Sequence, residues 1–148
     1  MIRWAIGDYL LDTNVVAELT TRLRPDPHVV ARLRSTARPN RYLSVITVAE
    51  IEVGVAVTPD PVRQARYAEV LASARREYRD RIAPVGEREA AAYLAVHKAL
   101  KAAGTSIDPP DALIAATALA NGWTVASRNI KHLERTGAKV TNPWDFKP

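Results

Sequence analysis

The chain has 148 residues, 47% hydrophobic and 25% charged, with a formal charge of +5 at pH 7. That length suits one domain with its own core, and no apolar run is long enough to span a bilayer. The absence of cysteine excludes disulfides, thiolate nucleophiles and zinc–cysteine sites; it fits a reducing compartment, and the chain reads as cytoplasmic.

Met1 to Asp8 has no long apolar stretch and carries an early acid, so it does not read as a secretory signal. Tyr9-Leu10-Leu11 reads as a short buried strand ending in Asp12, with Thr13 to Leu19 as the helix that follows. Such a strand delivers its final acid to the carboxyl edge of a parallel sheet, where open α/β sheets bind ligands. Pro25-Asp26-Pro27 opens a second helix over Val29 to Arg34, with Asp26 as N-cap and Pro27 at the first helical position. Tyr42 to Val45 is a second strand. Thr47 to Val57 is a helix with apolar residues on most sides, which predicts that much of it is buried.

Thr58-Pro59-Asp60-Pro61 introduces a long charged helix over Val62 to Tyr78. Tyr67, Val70 and Leu71 form its apolar stripe, and Arg63, Arg66, Arg75, Arg76 and Arg79 read as a solvated face. Ile82 to Val85 is a third strand, and Glu87 to Ala103 a helix stopped by Gly104. Asp108-Pro109 starts a helix that runs to Asn121-Gly122. Trp123 to Ala126 is a fourth strand, Ile130 to Leu133 a helical turn, and Lys139-Val140 an edge strand. Strands alternating with helices predict parallel β-α-β construction with helices on both faces. There is no repeat or linker, so residues 1–148 read as a single α/β domain.

Asp12, Glu50 and Asp111 each admit a purely structural role. Asp12 suits an N-cap, Thr47-x-x-Glu50 matches a capping box, and Asp111 lies in a first helical turn where the macrodipole favours an acid. As a set they say more. Asp12 and the Ser127-Arg128-Asn129 turn directly follow buried strands, while Glu50 and Asp111 lie near helix starts that can face the same sheet edge. Ala112 to Ala120 is nearly free of charge, so that helix packs deep and holds Asp111 in a cleft. Carboxylates about 4 Å apart repel by roughly 4 kcal/mol per ionised pair at an effective dielectric near 20. A divalent cation relieves this, and oxygen-only ligands suit Mg²⁺ or Mn²⁺. The net positive charge favours a polyanion such as RNA around that acidic pit, although arginine far outnumbers lysine, which is also a compositional bias.

Leu10-Leu11-Asp12-Thr13-Asn14-Val15-Val16 resembles the opening of a PIN-domain nuclease, particularly the VapC-type toxins of toxin–antitoxin pairs. Ser44 to Ile51, Asp108 to Ala118 and Val125 to Leu133 are similar to the later motifs of that family, in family order along almost the whole chain. The resemblance implies a three-layer α/β/α sandwich with a mostly parallel central sheet. It implies a Mg²⁺- or Mn²⁺-dependent endoribonuclease acting as the toxin of a type II system, with an RNA substrate, a cognate antitoxin, a homodimer and no membrane association. Asp12, Glu50 and Asp111 match the family's acidic positions, Asp12 and Asp111 as direct metal ligands and Glu50 as ligand or proton acceptor. Asn129 falls where many relatives carry a fourth acid, which puts a second metal in doubt. Asn14 and Ser127 are accessory, with Ser127 and Asn129 orienting ligands or water. An antitoxin arginine placed into the acidic pit is the expected route of inhibition.

The remaining candidates read as structural. His28, His97 and His132 lack metal spacing and are assigned surface or packing roles. Asp108 reads as an N-cap, Glu18 and Glu52 as solvated, and Tyr67, Tyr78, Tyr93 and Trp144 as packing residues. Two other functions remain open: a non-catalytic PIN-like module binding RNA or protein, and an aspartyl-phosphate phosphotransfer protein. Neither the RNA target nor the antitoxin's identity is legible at this level.

Overall fold

A computed structural model describes residues 7–148. Most of the N-terminal extension, residues 1–6, lies outside the described residues. The elements follow in the order β1 (Tyr9–Leu11), α1 (Thr13–Thr21), α2 (Pro27–Arg34), β2 (Arg41–Ser44), α3 (Val45–Val57), α4 (Pro61–Glu77), β3 (Ile82–Ala83), α5 (Glu87–Ala102), α6 (Pro109–Asn121), β4 (Thr124–Ala126), α7 (Ile130–Leu133) and β5 (Lys139–Thr141). Short 3₁₀ turns lie at Arg38–Asn40, Glu134–Thr136 and Pro143–Asp145.

The five strands form one sheet in the order β3-β2-β1-β4-β5, and every pairing is parallel. Leu10 stands beside Tyr42 and Val125, and Leu11 beside Leu43 and Ala126. Because side chains alternate across a strand, these neighbours divide between two cores. Leu10 and Val125 pack with Val96, Leu100, Ile114 and Ala115 from α5 and α6. Leu11, Leu43 and Ala126 pack with Val15, Val16, Val29 and Ala74 from α1, α2 and α4, and with Tyr78 just after α4. The result is a three-layer α/β/α sandwich.

β1 lies between β2 and β4. The chain builds outward from β1 through β2 to β3, then returns to the other side of β1 to add β4 and β5. Strand order therefore reverses between β1 and β4, which makes their carboxyl ends the topological switch point where such sheets bind ligands.

The apolar helix α3 departs from expectation. Only Thr47 and Val48 are buried, whereas Val53 and Val57 are 61% and 71% exposed. Its apolar residues surround the helix without forming one stripe, so the part beyond the sheet keeps a bare flank. On α4 the buried anchor is Ala74, with Tyr78 just past the helix end, and not the Tyr67–Leu71 stripe. The arginines on its outer side are engaged within the chain: Arg75 pairs with Glu52, Arg76 with Glu69 at 3.1 Å, Arg63 with the Tyr67 hydroxyl, and Arg66 with the Thr21 carbonyl. Glu18, expected to be solvated, is 6% exposed and lies 3.2 Å from Arg22; the buried face of α1 includes its position. Among the described residues, no helix is long and apolar enough to cross a membrane.

Candidate active site

β1 ends at the switch point, and its next residue, Asp12, is the N-cap of α1. Asp12 is 4% exposed, and its Oδ1 accepts from the Thr13 backbone N–H at 2.8 Å. Its Oδ2 accepts from the fully buried Ser127 hydroxyl at 2.7 Å and from the Asn14 amide at 3.4 Å. Ser127 directly follows β4, so this contact crosses the switch point. Asn14 completes the tie: its Nδ2 donates to Ser127 Oγ at 3.1 Å, and its Oδ1 accepts from the Arg128 backbone N–H at 3.3 Å. Burial pushes the Asp12 carboxyl above its ordinary range, opposed by the hydrogen bonds from Ser127 and Thr13.

Glu50 is reached through Thr13. The Thr13 hydroxyl donates to Glu50 Oε1 at 2.7 Å and lies 3.1 Å from the Thr47 hydroxyl. The capping-box reading of Thr47 and Glu50 is therefore corrected. α3 begins at Val45, and Ser44 is its N-cap, accepting from the Ile46 N–H at 3.0 Å. Thr47 thus stands within the helix, and Glu50, freed from any cap, turns to the sheet edge.

Asp111 sits in the first turn of α6, whose Ala112 and Ile114 to Ala118 are at most 2% exposed. Those small side chains let α6 sink into the core, which half-buries Asp111 at the mouth. Its carboxyl is pushed up to about 6, first by burial and then by the negative charges of Asp12, Glu50 and Asp108, with His132 opposing. The three sequence-selected acids thus share one electrostatic pit. Asp108 occupies the N-cap position of α6, but its side chain makes no capping hydrogen bond. It joins Asp111, Asn129 and His132 around a cavity instead.

His132 is exposed, as its surface assignment expects, and it also lines the cavity beside Asp111. α7 starts immediately after the β4 turn, and one helical turn carries His132 back over Asn129, whose Oδ1 lies 2.6 Å from the ring Nδ1. The spacing of residues i and i+3 on one helix face is the signal the sequence offers. Asn129 makes no helix cap; its backbone N–H donates to Ser127 Oγ at 2.9 Å. The neighbouring Arg128 guanidinium stacks 4.1 Å over Trp144.

Among the described residues, no three acids or histidines already stand together as a metal-binding group. A hard ion such as Mg²⁺ keeps several waters and takes one or two carboxylates directly. The oxygen-only donors and the mutual repulsion at Asp111 fit such an ion.

Residues 9–139 match the PIN domain family, and the chain belongs to it. It is 39% identical to plasmid stability protein StbB of Pseudomonas syringae pv. tomato, covering 92% of this chain and 98% of that protein. It is 34% identical to VapC ribonuclease Y4jK of Sinorhizobium fredii, over 92% and 97% of the two chains. Toxin FitB of Neisseria gonorrhoeae is 38% identical, over 91% and 97%. The crystal structure of FitAcB from Neisseria gonorrhoeae superposes with a TM-score of 0.85 at 37% identity, covering 93% of this chain and 99% of that one.

Proposed function

We propose that this chain is a divalent-metal-dependent endoribonuclease serving as the toxin of a type II toxin–antitoxin pair. One observation supports the reading: Asp111 lies within electrostatic reach of Asp12 and Glu50, from two other segments of the chain, and its carboxyl is raised to about 6 partly by their charge. The ribonuclease and toxin names of relatives that span nearly the same length support the biological role.

Asp12 and Asp111 would hold Mg²⁺ or Mn²⁺, with Glu50 completing the set directly or through water. The chemistry supplied by such an ion is polarisation of a phosphodiester and a lower pKa for ligated water. The protein's own part is orientation and proton handling. Ser127, Asn14 and the Thr13 N–H fix both oxygens of Asp12, so its charge needs little reorganisation. Thr13 aims Glu50, which accepts a proton from the attacking water. In-line displacement leaves a 5′-phosphate and a 3′-hydroxyl.

The partners proposed are an RNA substrate, a cognate antitoxin and a second copy of the chain. A cytoplasmic location is supported by the cysteine-free sequence. The test is cleavage of total cellular RNA by wild type, Asp12→Asn and Asp111→Asn in Mg²⁺, Mn²⁺ and EDTA, with cut sites mapped. Metal-dependent cutting abolished in both variants is expected; cutting that survives the substitutions and EDTA rejects the assignment.

A further inference from the structure

The exposed bases of this chain differ in how they are partnered. Several around α4 are already matched by acids: Arg75 by Glu52, Arg76 by Glu69 at 3.1 Å and Arg38 by Glu77 at 2.6 Å. Lys101, Lys131 and Arg135 are exposed too, yet among the described residues no carboxylate forms an ion pair with any of them. A paired arginine has much of its charge cancelled and must leave its acid to hold a phosphate. An unpaired base attracts one directly.

The fold gathers these three on the side of the sheet that carries Asp111. α7 starts just after the carboxyl end of β4, where Ser127 meets Asp12. Leu133 and Thr136 are buried, which turns Lys131 and Arg135, four positions apart, outward together. Glu134 is the acid between them and pairs with neither. Leu133 packs with Val96 and Leu100 of α5, so the last turn of that helix, which holds Lys101, lies alongside. Residues 103–108 then lead to the start of α6 and Asp111. α5, α6 and α7 thus form one helix layer, whereas α2 and α4 belong to the other.

We propose that the RNA strand crosses the outer side of α7, with its phosphates on Lys131, Arg135 and Lys101. The inference rests on the ribonuclease reading and adds the path of the substrate: over the layer of α5, α6 and α7, although α4 carries more arginines. The three bases position the strand and read no sequence, since they meet only its phosphates.

The experiment titrates a labelled single-stranded RNA of mixed sequence with the full chain in EDTA, where it is spared metal-dependent cleavage, over a range of KCl concentrations. Lys101→Ala, Lys131→Ala and Arg135→Ala should each reduce the slope of log K against log salt by about 0.7, the value for one phosphate contact on a single strand. The triple variant should lose about 2 from that slope. Lys131→Arg and Arg135→Lys keep the charge and should keep the slope. Arg34→Ala, at an exposed position of α2, and Arg76→Ala, at an ion-paired position of α4, should match wild type. The inference falls if the triple variant keeps the wild-type slope, or if Arg34→Ala or Arg76→Ala lowers it as much as Lys131→Ala does. Should wild type cut RNA but bind too weakly in EDTA to titrate, KM for cleavage against salt gives the same comparison, with kcat expected to hold. The ribonuclease reading survives a failed path if wild type cuts RNA with Mg²⁺ and Asp12→Asn does not. A wild type that neither binds nor cuts RNA overturns both.

Discussion

The Ser127 hydroxyl donates to Oδ2 of Asp12 at 2.7 Å across 115 positions of sequence, joining the ends of β4 and β1 inside the protein. This contact holds the Asp12 carboxyl down against the upward push of burial. Ser127→Ala is expected to raise that carboxyl further and to lower stability by about 1.5–3 kcal/mol, the range for a hydrogen bond to a charged group. In a pH–rate profile the acidic limb should move to higher pH, with activity recovering at alkaline pH. A uniform loss at every pH would mean that Ser127 acts otherwise.

Thr13 joins the site through both its backbone and its hydroxyl. Thr13→Val keeps the shape and the N–H that caps against Asp12, and removes the hydroxyl's bonds to Glu50 and Thr47. The expected outcome is a fall of about tenfold or more in kcat, little change in KM, and about 1 kcal/mol of stability lost. Steady-state kinetics on a single oligonucleotide separates these parameters.

Asp111 links the site to stability. Its folded-state pKa of about 6 lies above the ordinary 3.8 of an aspartate, so the folded protein binds the proton more tightly than the unfolded chain does. Its contribution to stability is therefore greatest below about pH 4, falls as pH rises through the interval to about 6, and is least above that. Asp111→Asn abolishes this dependence and, by removing the like-charge repulsion, gains relative to wild type as pH rises; loss of an acid from the first turn of α6 offsets about 0.3–1 kcal/mol. Thermal melts of both proteins in EDTA across that interval are the check. Parallel curves would contradict the shift.

Arg128, next to the Ser127–Asp12 contact in sequence, is exposed and held over Trp144. Arg128→Ala should weaken RNA binding for all sequences alike and reduce the slope of log K against log salt by about 0.7–1, the release of one counterion. An unchanged slope would remove Arg128 from the interface.

Much of this architecture is legible in the order of residues alone. β1, β4 and the small-residue helix α6 are short apolar runs with polar ends, and their order leaves few arrangements of a parallel sheet. The electrostatic coupling of Asp111 to Asp12 and Glu50 follows from that order. Finer assignments fail where one local pattern fits two structures. Ser44 terminates β2 and also caps α3, so a helix drawn from Thr47 misassigns Glu50 to a cap. Sequence overstates the burial of α3 because an all-round apolar helix carries no record of which neighbour covers it.

Both oxygens of Asp12 are already committed to partners within the chain, so this acid serves the architecture of α1 as well as the chemistry. Asparagine suits a helix cap nearly as well as aspartate does, while carrying no charge. An Asp12→Asn protein is thus expected to stay folded while losing the charge, a blank with which any guest of this site could be captured alive in a growing cell.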